Sequence, residues 1–209
     1  MDVEGSSPLT MCHYHIIYFK FLTQQKVNQI SDYKKQLREK LEELSRKWQS
    51  KGLPSRSGLE KAAGDLREWT MKTGGSGLWD NPPLMITATL DDGLGHGLEV
   101  IRMFSEAAGL DIIDLGLLVT PEKIITACQK IKPDLLGLTV LQFDSEENII
   151  MISSNLPSKT KIIAGGPVFT ADRGFARRTG IHFAAKNVAY FIRFLLQFES
   201  GVTYIEKTP

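Results

Sequence analysis

The chain has 209 residues, 42% of them hydrophobic, which suits one domain of ordinary size plus an extension. Its formal net charge of +1 gives no bulk electrostatic pull toward nucleic acid or an acidic substrate. Cys12 and Cys128 lie too far apart for a metal-ligand spacing or a disulfide framework, and no apolar run reaches the roughly 18 residues of a membrane helix. The expectation is a cytoplasmic protein with no nucleic-acid or membrane partner.

Residues 1–23 read as a poorly defined extension. The apolar stretch from Ile16 to Leu22 is short, follows His13 and His15 rather than a Lys/Arg-rich segment, and precedes no small-residue cleavage site. A signal peptide and a start assigned too far upstream stay open as alternatives. From about Gln24 to Lys51 the apolar residues fall at Val27, Ile30, Leu37, Leu41, Leu44 and Trp48, one helical face of period about 3.5. Such a stripe predicts a helix–helix contact within or between chains. Gly52 and Pro54 end this helix, and Ser57-Gly58-Leu59-Glu60 reads as a capping box with Ser57 as the cap. A second helix then runs to about Met71, with Leu59, Ala62, Ala63, Leu66 and Trp69 on its apolar side. Gly74 to Gly77 and Asn81-Pro82-Pro83 break the pattern, so residues 24–80 are expected to form a helical extension and linker.

Beyond residue 80 strands and helices alternate. Strands are predicted at 85–90, 111–115, 135–141, 161–164 and 181–184, with helices at about 97–108, after Thr120-Pro121, through Ile149 and Ile152, past Phe175, and over 187–198. Thr120 is the expected cap and Pro121 the first helical residue. Five such units predict an α/β fold, a flavodoxin-like (Rossmann-like) doubly wound five-stranded parallel sheet, over 81–200, with 201–209 as a tail. Ligands in this fold bind at the carboxyl edge of the strands, which directs attention to the loops 91–97, 139–144, 164–169 and 185–187.

The first loop, Thr89-Leu90-Asp91-Asp92-Gly93-Leu94-Gly95-His96-Gly97, holds three glycines and two carboxylates between a strand and a helix. Glycine permits positive φ and close approach to a bulky ligand. A plain strand–helix turn with Asp92 as a cap remains open, but the spacing is neither a dinucleotide fingerprint nor a phosphate loop. Gly165-Gly166 places two positions without side chains after the fourth strand, and Thr139 places a hydroxyl at the end of the third. A simple turn and ordinary β-propensity are the competing explanations.

Together these residues resemble the cobalamin-binding domain of corrinoid carrier proteins, methionine synthase and B12-dependent mutases. That family's pattern is D-x-H-x-x-G after the first strand, S-x-L after the third and G-G after the fourth. The matching positions are Asp92-x-Leu94-x-x-Gly97, Thr139-x-Leu141 and Gly165-Gly166. The segments 106–116, 120–122 and 132–138 are similar to carrier proteins of methyltransferase systems, and the resemblance covers residues 84–198.

The resemblance implies a cobalamin or related corrinoid cofactor, with cobalt, and a slot for its nucleotide tail between Gly97, Thr139, Leu141, Gly165 and Gly166. Asp92, Gly93, Leu94, Gly95 and His96 would complete the binding loop. The family's histidine is the axial cobalt ligand, oriented by the aspartate. Here Leu94 stands in its place and offers no lone pair; His96, two positions on, is the alternative ligand. His13, His15 and His182 read as surface or packing residues. The implied role is a carrier subunit with methyltransferase partners; residues 24–71 could cap the corrinoid partially or pair with a second copy as a homodimer. Methyl-carrier proteins have a four-helix cap, for which two helices are too few. A B12-type sensor or storage module, and a domain that kept the fold but serves as an interaction protein, remain open readings.

Overall fold

A computed structural model describes the backbone over residues 8–91 and 96–199, with side chains from Ile30 onward except those of His96 and Glu199. Helix α1 spans Pro8–Lys51 and α2 Arg56–Thr73. Then follow β1 (Leu84–Thr89), α3 (His96–Ala108), β2 (Asp111–Asp114), α4 (Pro121–Ile131), β3 (Leu135–Thr139) and α5 (Glu146–Ser154). The chain continues through β4 (Lys161–Gly165), the short helices α6 (Val168–Ala171) and α7 (Phe175–Arg178), β5 (Phe183–Ala185) and α8 (Val188–Glu199).

The five strands form one sheet in the order β2-β1-β3-β4-β5. Every neighbouring pair is parallel, with Met85 opposite Leu135 and Leu135 opposite Lys161. This is the flavodoxin-like arrangement expected. β1 and β3 sit at its centre and are almost wholly buried, which is why their sequences run apolar without alternation.

Two cores follow from the pleat. Met85, Leu135, Ile163 and Phe183 point to one face and pack with Phe104 of α3 and Phe191 of α8. Ile86, Leu136, Ile162 and Ala164 point to the other and pack with Ile124 of α4 and Ile149 and Ile152 of α5. The first core continues outward: Leu37, Leu41 and Trp48 of α1 and Leu59, Ala63 and Leu66 of α2 belong to the same apolar cluster as α3 and α8. Trp48 meets Phe104 edge-to-face at 5.6 Å, and the Ser45 hydroxyl donates to the Ala189 carbonyl at 2.8 Å. The α1 stripe is therefore covered within the chain, while Ile30 at its start is exposed; Val27 lies outside the described side chains.

Several predicted boundaries are corrected. The cap of α2 is Ser55, whose hydroxyl accepts the Gly58 N–H at 3.3 Å, so Ser57 lies inside the helix. Glu60 pairs with Arg56 instead of closing a capping box. Pro54 explains the shift, since it fixes the chain just before Ser55 and lets the helix begin two residues early. β3 ends at Thr139, not Leu141, because Leu141 N–H turns to a carboxylate. β5 covers 183–185 because the Ile181 N–H is still bonded to the Ala176 carbonyl of α7. The expected cap holds at α4, where Thr120 accepts the Lys123 N–H and Pro121 opens the helix.

Candidate functional site

The site originates in small residues on one face of the sheet. Side chains alternate along a strand. The face beneath α3 and α8 therefore receives Met85, Thr87 and Thr89 from β1, Leu135, Gly137 and Thr139 from β3, Ile163 and Gly165 from β4, and Phe183 and Ala185 from β5. At the amino end this face is filled by Met85, Leu135, Ile163 and Phe183. Toward the carboxyl end it carries Gly137, Gly165 and Ala185; the Met85 methyl takes the space above Gly137, while Gly165 and Ala185 supply little or nothing above the sheet. A cavity of about 530 Å³ opens there. Leu98 and Ile101 of α3 and Val188 and Phe191 of α8 form its roof, and Leu53, Arg56 and Leu59, from the α1–α2 turn and α2, close its outer side. The volume and mostly apolar lining are those of a small-molecule site.

Few polar groups face this cavity. Asn187 caps α8, its Oδ1 accepting the Ala189 N–H at 2.9 Å. Arg56 is held by Glu60 at 2.6 Å and Glu99 at 2.7 Å. Thr89 differs. Its hydroxyl is buried and has no hydrogen-bond partner among the described residues, although it lines the cavity. Two residues earlier, the Thr87 hydroxyl donates to Asp114 at 3.1 Å.

The loops at the carboxyl edge are tied to one another. Asp91 Oδ2 accepts the Leu141 N–H at 2.7 Å, and its Oδ1 accepts the Ser145 hydroxyl at 3.1 Å. Val140 N–H donates to the Gly165 carbonyl at 2.9 Å. Gly166 has φ of 137°, and a Cβ there would overlap the Val140 carbonyl oxygen. Only glycine permits this close crossing of the two loops.

Of the residues expected from sequence, Gly97, Thr139, Leu141, Gly165 and Gly166 all line the cavity. Asp92, Gly93, Leu94 and Gly95 lie outside the described residues. His96 begins α3, and its side chain is outside them too. His182 sits just before β5, at the amino end of the strands, where its Nδ1 accepts the Ile162 N–H at 3.1 Å. Cys128 is buried, and burial pushes its thiol up to about 11. No group of three or more His, Cys, Asp or Glu side chains among the described residues is placed to hold a metal ion. No helix among them is long and apolar enough to cross a membrane.

Sequence reasoning missed Thr89, Gly137, Ala185, Phe191 and the α2 residues as lining. The period-2 rule could have found the first two, since Thr89 and Gly137 share a face with Thr139 and Gly165. It also missed Asp91 as the tie between loops, because Asp91 and Asp92 are indistinguishable by composition.

The model of the B12 binding domain matches residues 84–188. The chain belongs to that family, and its cofactor is a corrinoid. No curated protein matches the sequence. Among solved structures, a cobalamin-binding protein from Desulfitobacterium hafniense superposes with a TM-score of 0.68 at 17% identity, over 87% of this chain and 91% of that one. The monomethylamine corrinoid protein of Methanosarcina barkeri gives 0.53 at 18% identity, over 76% and 78%. The methanol:cobalamin methyltransferase complex of the same organism gives 0.56 at 17%, over 77% and 63%. At these identities the likeness is one of fold.

The residues present fit a corrinoid's nucleotide tail. A Cβ at Gly165 would stand 3.4 Å from the Ala185 carbonyl, so the cradle is one that a side chain would begin to fill. The unpartnered Thr89 hydroxyl provides a polar contact that a bound molecule can complete.

Proposed function

We propose that this chain is a corrinoid-carrier subunit of a cobalamin-dependent methyltransferase system, cytoplasmic, working with methyltransferase partner proteins. The observation that carries the binding part is the apolar cavity over Gly165 and Ala185 with one buried hydroxyl left to be satisfied. The similarity of fold to the Methanosarcina proteins supports the carrier part.

In this reading the nucleotide tail enters between the first turns of α3 and α8. Gly165 gives it room, Thr139 and Thr89 offer hydroxyls, and Leu141 and Gly166 shape the mouth. Asp91 holds the first and third loops at a fixed separation. Leu53 and Leu59 keep water from the outer side. A bound corrinoid supplies a cobalt that accepts and gives up a methyl group. Leu94, in the position where the family has histidine, leaves that cobalt without an imidazole from this loop position.

The α1–α2 pair lies against α3 and α8 with its turn beside the cavity mouth, so it walls the slot instead of forming a four-helix cap. Residues 24–80 and 81–200 then act as one folding unit. A homodimer through residues 24–71 would have to use a surface other than the Leu37, Leu41 and Trp48 face.

The direct test is a visible spectrum after incubation with hydroxocobalamin and gel filtration. Retained colour supports the reading, and colourless protein refutes it. A carrier should then hand a methyl group from the alkylated cofactor to a purified methyltransferase component. A dimer that changes on corrinoid binding or illumination would instead favour a sensor.

A further inference from the structure

The Thr89 hydroxyl separates this slot from a purely apolar one. Thr89 and Thr139 are register partners on β1 and β3, at the same level of the sheet and on the same face. Adjacent strands lie about 4.8 Å apart. Both residues line the cavity, so two threonines stand side by side on its floor. Thr89 is 1% exposed, and its Oγ1 has no partner among the described residues. A buried hydroxyl left unpaired is unfavourable, and the penalty disappears when a ligand atom completes the bond.

We propose that Thr89 is a specificity-determining residue, selecting cobamides whose lower base carries a second hydrogen-bond acceptor beside its free imidazole nitrogen. This rests on the corrinoid reading above and concerns which corrinoid the slot prefers. Dimethylbenzimidazole detached from cobalt presents one free ring nitrogen, and the next position on that edge is a C–H. Adenine, joined to the ribose through its imidazole ring, presents on the same edge both its free imidazole nitrogen and a pyrimidine nitrogen. Two neighbouring hydroxyls can donate to both atoms of the purine. Against dimethylbenzimidazole one of the two faces a C–H and stays unsatisfied. Gly165, beside Thr139, leaves the floor open to either ring, so size does not decide the preference.

The test is isothermal titration calorimetry of the full chain with three compounds: cobalamin, the cobamide with an adenine lower base, and cobinamide, which has no base. The wild type should bind the adeninyl cobamide on the order of tenfold more tightly than cobalamin, a difference typical of one buried hydrogen bond. Thr89→Val, which keeps shape and removes the hydroxyl, should erase that difference; Thr89→Ser should keep it. Cobinamide should not distinguish wild type from Thr89→Val. Circular dichroism melts establish that each variant is folded, and if Thr89→Val does not fold, the wild-type ratio decides. A wild type that prefers cobalamin or binds both equally overturns the inference, as does a preference that persists in folded Thr89→Val. In those cases corrinoid binding itself survives. A wild type that binds none of the three overturns the corrinoid reading, and this inference with it.

Discussion

Asp91 and Leu141 join the end of β1 to the turn after β3: the Asp91 carboxylate accepts the Leu141 N–H at 2.7 Å and, with its other oxygen, the Ser145 hydroxyl at 3.1 Å. These contacts set the separation of two loops that flank the cavity. Asp91→Ala would leave a half-buried N–H and a buried hydroxyl without an acceptor, at about 1–3 kcal/mol for the hydroxyl alone. Urea unfolding should register that loss, and corrinoid affinity should fall with it. An unchanged midpoint would mean that water satisfies both groups and the tie is unimportant.

The two glycines after β4 should fail differently when replaced. Gly165 lies in the strand, and its Cβ would stand 3.4 Å from the Ala185 carbonyl, so Gly165→Val is expected to fold while its branches occupy the slot. Gly166 has φ of 137° and crosses the Val140 backbone, so Gly166→Val should lose more than about 2 kcal/mol through strain and overlap. Thermal melts and the cobalamin spectrum, taken together, separate these. Folded but colourless Gly165→Val is the expected result; a folded, coloured one removes the slot from the position assigned to it.

Much of this was legible in advance for a simple reason. Central strands of a parallel sheet are apolar on both faces, and α4 announces itself by Thr120 and Pro121, so element types and order followed from pattern alone. What escaped depended on tertiary contact. Ser55 and Ser57 are equally good caps by composition, and only the Pro54 backbone decides between them. Asp91 turns inward to Leu141 through a loop whose path no periodicity encodes. Helix α6 is a single turn and too short to show a helical period. The role of α2 as a wall of the cavity required knowing that Arg56 reaches Glu99 on α3.

The helical extension should not be stable alone. Trp48, Leu37 and Leu41 are buried against α3 and α8, not against α2 alone. An excised peptide of residues 24–71 should show no cooperative thermal transition at micromolar concentration. In the full chain Trp48→Ala should cost about 3–5 kcal/mol, as for other large buried aromatics. A cooperative melt of the peptide would sink the view that both parts share one core.

His182 predicts a weakness to mild acid. Its imidazole is held below the ordinary histidine value, first by burial and then by the charge of Lys161, and its Nδ1 lone pair accepts the Ile162 N–H. The folded state therefore prefers the neutral ring, whereas the unfolded chain takes up a proton near pH 6.5. The contribution is fully present above about 6.5 and is lost as pH falls through the lower folded value. The urea midpoint should drop between pH 7 and pH 5, and His182→Gln, which can still accept the N–H, should drop less. Equal drops would place the acid sensitivity elsewhere.

The cobalt of a bound corrinoid should receive no nitrogen from the protein. By the resemblance of Asp92-x-Leu94-x-x-Gly97 to the family's D-x-H-x-x-G pattern, Leu94 would take the position that supplies imidazole, and a leucine side chain cannot coordinate. Most of the contact would come from the ring and from the tail in the slot over Gly165, so binding does not require that bond. Cobinamide has no base of its own, so in a cobinamide-loaded sample reduced to cobalt(II) any nitrogen splitting in the electron paramagnetic resonance spectrum must come from protein. None is expected for the wild type, whereas Leu94→His should introduce it if Asp92 orients the new ring. Clear splitting in the wild type that disappears in His96→Ala would overturn this and make His96 the ligand.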